Sequence, residues 1–121
     1  MTLGQKQRMF AKLAAQLIQY AYAQGYEVTL GDAYRDPRVH GDMGVKKSYS
    51  SASSSHKERL AIDLNLFKDG QYLTTSEAHK PLGEYWKSLH PDCRWGGDFK
   101  DSSGRPATDG NHYSMTHQGR A

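Results

Sequence analysis

The stretch Ser54-Ser55-His56-Lys57-Glu58-Arg59-Leu60-Ala61-Ile62-Asp63-Leu64-Asn65-Leu66-Phe67 carries an imidazole and, seven residues on, a carboxylate set in an apolar run. Leu60, Ile62, Leu64 and Leu66 fall on every second position, the period of a half-buried strand. Asp63 then faces the other way, with Ala61 and Asn65 beside it. A carboxylate in a strand is costly unless it is solvated, paired or bound to metal. His56 just before the strand and Asp63 on its open face make two arms of a metal site. Strand pattern alone also accommodates, and by itself favours, a plain surface aspartate on a one-sided sheet.

A second block lies downstream: Trp95-Gly96-Gly97-Asp98-Phe99, followed by Asp109-Gly110-Asn111-His112. Ser54, His56, Ala61 and Asp63 fit SxHxxxxAxD, and the second block fits WGGxF/W…DxxH. Together they resemble the VanY-like zinc peptidases that cut bacterial cell-wall peptides. These are the D-alanyl-D-alanine carboxypeptidases of the vancomycin-resistance type and the L-alanyl-D-glutamate endopeptidases of phage endolysins. The match reaches loosely back to Tyr34-Arg35. It departs at Arg59, where the pattern often carries glycine.

The resemblance implies a catalytic zinc held by His56, Asp63 and His112. Three protein ligands and one open position suit catalytic zinc. Asp109, three residues before His112, is the candidate base if the segment turns back on itself. Arg35 is placed to hold an anionic part of the substrate or the developing oxyanion; a solvated arginine before Pro37 is the alternative. Ser54 and Trp95 are the expected substrate contacts. The two glycines after Trp95 suggest a close backbone approach, with the substrate peptide as the neighbour. His117 is the rival third ligand and Asp98 the rival base, and spacing excludes neither.

The elements that must position these residues follow from pattern. Residues 3–24 form an amphipathic helix with Phe10, Leu13, Ala14, Leu17 and Ala21 on one face. Thr2 with Gln5 makes a capping box and Gly25 suits the stop. Tyr20, Tyr22 and Tyr26 are packing residues, and 26–30 is a strand. Residues 36–55 lack periodicity and read as a mobile wall of the cleft, with His40 and Lys46-Lys47 at its surface. Lys68-Asp69-Gly70 turns the central strand into a hairpin partner over 71–74. A helix covers 77–90 with Leu82, Trp86 and Leu89 on its stripe, becoming regular near Lys80 because Pro81 fits only a first turn. His79 and His90 at its ends are structural or exposed. His112-Tyr113-Ser114-Met115 is extended with His112 and Ser114 on one face, and the tail from Gln118 frays. The expected fold is α+β: a small antiparallel sheet with helices packed on one side, Hedgehog/DD-peptidase-like, and zinc on the open face.

Composition bounds the rest. The 121 residues make a single domain, 1–121. Apolar content is 36% and mean hydropathy is -0.84, so the core is thin and a bound metal could add to its stability. Net charge is +3, with the site completing in the more acidic half. That balance suits anionic polymers such as cell wall and is too weak to imply nucleic acid. Cys93 is the only cysteine, so no intrachain disulfide forms. No apolar run is long enough to span a membrane, and no signal-peptide core is visible. The expectation is a monomer made in the host cytoplasm and delivered to the periplasm and wall by another factor. It would cut the L-alanyl-D-glutamate bond of peptidoglycan stem peptides during lysis. The alternatives are a D,D-carboxypeptidase and a non-catalytic module that grips wall peptides.

Overall fold

A computed structural model of the chain describes residues 1–34, 36 and 55–121. In chain order it contains α1 (Leu3–Ala23), β1 (Glu27–Leu30), a 3-10 turn (Ser55–Glu58), β2 (Ala61–Lys68), β3 (Gln71–Leu73) and a second 3-10 turn (Glu77–His79). Then come α2 (Lys80–Leu89), β4 (Cys93–Trp95), a third 3-10 turn (Gly96–Asp98) and β5 (His112–Met115). The strands make one antiparallel sheet in the order β1-β2-β5-β4, with β3 also paired to β2. Both helices pack against this sheet. The α+β architecture expected from the sequence is the one observed.

Local chemistry sets the helix ends. The Gln5 amide donates to Thr2 Oγ1 at 3.1 Å, and the Thr2 amide donates to Gln5 Oε1 at 2.8 Å. This reciprocal pair satisfies donors that the first turn leaves without partners. Pro81 sits in the first turn of α2, where its missing N–H costs nothing. The helix is regular from Lys80, as expected, and is preceded by a 3-10 turn over Glu77–His79.

The inward face of α1 buries Phe10, Leu13, Ala14, Leu17 and Ala21, and Leu60 with Ile62, Leu64 and Leu66 of β2 is buried in the same core. Trp86 of α2 is fully enclosed and meets Phe10 edge-on, with centroids 5.6 Å apart. Its indole N–H lies 3.0 Å from both the Arg94 and Ser114 carbonyl oxygens, so one donor ties α2 to β4 and β5. Tyr20 stacks on Tyr85 at 3.8 Å, a packing role as expected.

The tail is held. Arg120 pairs with Glu58 through its guanidinium, the Nε contact being 2.9 Å, and His117 and Arg120 pair through their backbones. The expected fraying from Gln118 is corrected by this pair, which fastens the C-terminus to the 3-10 turn bearing His56.

Candidate metal centre

β2 and β5 are registered so that Asp63 lies opposite His112. Directly paired residues of an antiparallel ladder project from the same face. The Asp63 backbone is fixed on its other edge too, its N–H donating to the Asp32 carbonyl at 2.7 Å and its carbonyl accepting from Gly31 at 2.8 Å. His56 arrives from the 3-10 turn, its Nδ1 2.8 Å from the Ala33 carbonyl oxygen. A ring N–H donated to a backbone carbonyl fixes the tautomer and leaves Nε2 with a lone pair for a metal.

Three ligand atoms converge. His56 Nε2 lies 3.2 Å from Asp63 Oδ1 and 3.2 Å from His112 Nδ1. His112 Nδ1 lies 3.5 Å from Asp63 Oδ1. Bonds of about 2.0–2.1 Å in a tetrahedral zinc site put neighbouring ligand atoms about 3.3 Å apart. The triangle already has those edges, so two imidazoles and a carboxylate fit zinc in geometry and in donor type. Both imidazoles are buried and Asp63 is half-buried. Burial on its own would raise the Asp63 carboxyl; the hydrogen bonds from His112 and His56, with their charge, outweigh it and hold the group well below the usual carboxylate range. Asp63 is thus ionised, as a ligand must be.

Asp109 sits at the head of a turn whose His112 amide donates to the Asp109 carbonyl at 3.0 Å. The fold-back anticipated from DxxH is present, and Asp109 is exposed to solvent. Gly96 is required here because a Cβ on it would collide with the Asp109 carbonyl oxygen. The two rivals lie elsewhere. Asp98 is ion-paired with Lys87 at 2.8 Å, and His117 faces Glu58 at 3.8 Å; neither belongs to the metal cluster.

Trp95 differs from expectation. It is 5% exposed, its ring packs so tightly against Gly83 and Gly97 that a Cβ on either would collide with it, and its indole N–H donates to the Gly110 carbonyl at 2.8 Å. The neighbour that tolerates no side chain at Gly97 is therefore Trp95 itself. Trp95 braces the turn carrying Asp109 from inside the core and does not face a ligand. Arg35 and Ser54, like His40 and Lys46-Lys47, lie outside the described residues.

Spacing did not reveal the Ala33 carbonyl that orients His56, nor His79, which is buried with Nδ1 2.7 Å from the Tyr113 hydroxyl. Neither has a sequence signal, because both contacts depend on where distant segments meet.

No protein-family model and no curated protein matches the sequence. Solved structures do. The L-Ala D-Glu endopeptidase ChiX of Serratia marcescens is similar with a TM-score of 0.62 at 17% identity, over 88% of this chain and 79% of that one. A mutant of the vancomycin-resistance D,D-pentapeptidase VanY from a VanB-type cassette, in complex with Zn(II), is similar with a TM-score of 0.56 at 18% identity, over 88% of this chain and 70% of that one. At that identity the likeness concerns architecture: two helices packed against a small, open antiparallel sheet, the fold of VanY and the DD-peptidases.

Proposed function

We propose that the chain is a zinc-dependent peptidoglycan peptidase, an L-alanyl-D-glutamate endopeptidase of the phage endolysin type. The observation that carries this is the triangle of His56 Nε2, Asp63 Oδ1 and His112 Nδ1, with edges of 3.2, 3.2 and 3.5 Å, reached through the turn that bears Asp109. Two fold neighbours are described as peptidases, one an L-Ala D-Glu endopeptidase and the other a D,D-pentapeptidase in complex with Zn(II).

Zinc held by the three residues would supply Lewis acidity toward the scissile carbonyl and make water a stronger acid. The chain's own groups do the remainder. His56 and Asp63 are pre-aimed by Ala33 and by the β2–β5 ladder. Asp109 accepts a proton as water oxygen bonds to the carbonyl carbon, and returns it to the departing amine as the C–N bond breaks. Arg35 takes an anionic group of the substrate and Ser54 a polar contact, both on the strength of the motif. The peptidoglycan peptide is the partner, no nucleic acid is involved, and the protein works as a monomer. Among the described residues no helix is long and apolar enough to cross a membrane, and delivery from the host cytoplasm to the periplasm falls to another factor.

Digestion of purified peptidoglycan with the zinc-loaded protein tests the reading by mass spectrometry. The expected products are stem peptides with a new D-glutamate N-terminus, leaving L-alanine on the muramic acid. Free D-alanine as the sole product would make it a carboxypeptidase instead. Substrate binding without any cleavage would make it a wall-binding module.

A further inference from the structure

A cavity of about 240 Å³ opens between β3 and the turn before β5, walled in part by Thr75, Ser76, His79, Thr108, Asp109 and Asn111. It is smaller than the cavities of about 300–1,000 Å³ that take whole small molecules. We propose that this cavity is a subsite for one residue of the peptide substrate, holding an uncharged acceptor such as a main-chain amide carbonyl. The inference rests on the peptidase reading above and adds to it where part of the peptide is gripped.

The hydrogen bonds around the cavity fix what it can offer. Tyr113 Oη finds His79 Nδ1 at 2.7 Å and has no other partner among the described residues. If the phenol only accepted, its own proton would be left buried without an acceptor, which is expensive. The phenol therefore donates, and His79 carries its proton on Nε2, for which no partner is seen among the described residues. Burial pushes the imidazole down to about 4, so it is neutral at ordinary pH and Nε2–H is a donor.

Two hydroxyls are set in the same sense. Ser76 Oγ accepts from the Gly110 amide at 2.9 Å, and Thr75 Oγ1 accepts from the Ala78 amide at 3.2 Å. Each keeps its own O–H to give. The cavity thus has donors in one wall, no lysine or arginine among its described lining residues, and the Asp109 carboxylate beside them. A free carboxylate would meet that charge uncompensated, whereas an uncharged amide carbonyl can take the donors without a second negative charge to repel. The Ser76–Gly110 bond also joins the cavity to the turn carrying Asp109, so a residue gripped there would lie against that turn.

Steady-state kinetics on a soluble disaccharide-tetrapeptide, with zinc content and circular dichroism checked for each protein, tests this. Thr75→Val and Ser76→Ala should each raise KM about 3- to 10-fold, the scale of one lost hydrogen bond, with kcat within about twofold of wild type. That split marks binding energy shared by ground and transition states. A folded Thr75→Val and a folded Ser76→Ala with unchanged KM overturn the subsite, as does a fall in kcat at constant KM, which would mean these residues only brace the turn. If Ser76→Ala does not fold, Thr75→Val alone decides. No turnover by the zinc-loaded wild type overturns the peptidase reading and the subsite with it; wild-type turnover with indifferent variants overturns the subsite alone.

Discussion

The guanidinium carbon of Arg59 lies 4.0 Å from the centre of the Tyr34 ring, while its backbone sits at φ 58°. The left-handed region suits glycine and costs other residues about 1–2 kcal/mol. This explains why the motif often has glycine at the position, and what arginine gains by being there: a cation–π contact worth about 0.5–1 kcal/mol, placed beside the strand end that leads to His56's partner, Ala33. The expected outcome is an ordering of variants. Arg59→Ala keeps the strained backbone and loses the contact, so its urea midpoint should drop. Arg59→Gly loses the contact but relaxes the backbone, and should be more stable than Arg59→Ala by about 1 kcal/mol. Equal midpoints for the two would refute the strain.

One zinc per chain is expected. His56→Ala should lose tight zinc and activity together, and elemental analysis finding a full complement of zinc in that variant would sink the ligand assignment. Zinc at a thousandfold over its Kd should stabilise the wild type by about 4 kcal/mol, read as a higher Tm that chelator removes.

Asp109→Asn should retain zinc and lose at least about 10²-fold in turnover, the scale of a positioned base. An amide has the shape but cannot take the proton. A near-normal rate would pass the role to another carboxylate, although Asp98 is engaged by Lys87.

His79 gives a pH dependence with a definite sign. Burial lowers its pKa from 6.5 to about 4, so between those values the unfolded chain binds a proton that the folded chain refuses. The contribution is fully present above pH 6.5 and is lost as pH falls toward 4, by at most about 3 kcal/mol. Denaturation in chelator at pH 4.5 and pH 7 should show wild type losing more stability on acidification than His79→Gln does. Parallel losses would mean that His79 titrates normally.

Much of the site was legible because it is built on periodicity. Alternation through Leu60–Leu66 alone puts Asp63 on the face away from the helices, and DxxH anticipates the turn that ends on His112. The capping pair Thr2–Gln5 and the displaced start of α2 at Lys80, set by Pro81, were equally local and equally readable. What failed was long-range. A tryptophan followed by two glycines looks the same whether it faces a ligand or packs on Gly83 of a helix, and Trp95 does the latter. The tail looked loose because the partner that anchors its guanidinium to the rest of the fold, Glu58, is distant from Arg120 along the chain. The rivals Asp98 and His117 are paired with Lys87 and Glu58, contacts that no spacing announces.

The pairing of Asp63 with His112 makes strand register a proofreader. Side chains alternate along β5, so a slip of one residue would turn His112 inward and Tyr113, fully buried and bonded to His79, outward. The same error would open the core and scatter the ligands. A chain that has closed its core around Tyr113 has, by that act, already placed His112 opposite Asp63, so misfolded copies should lack the proposed metal triangle.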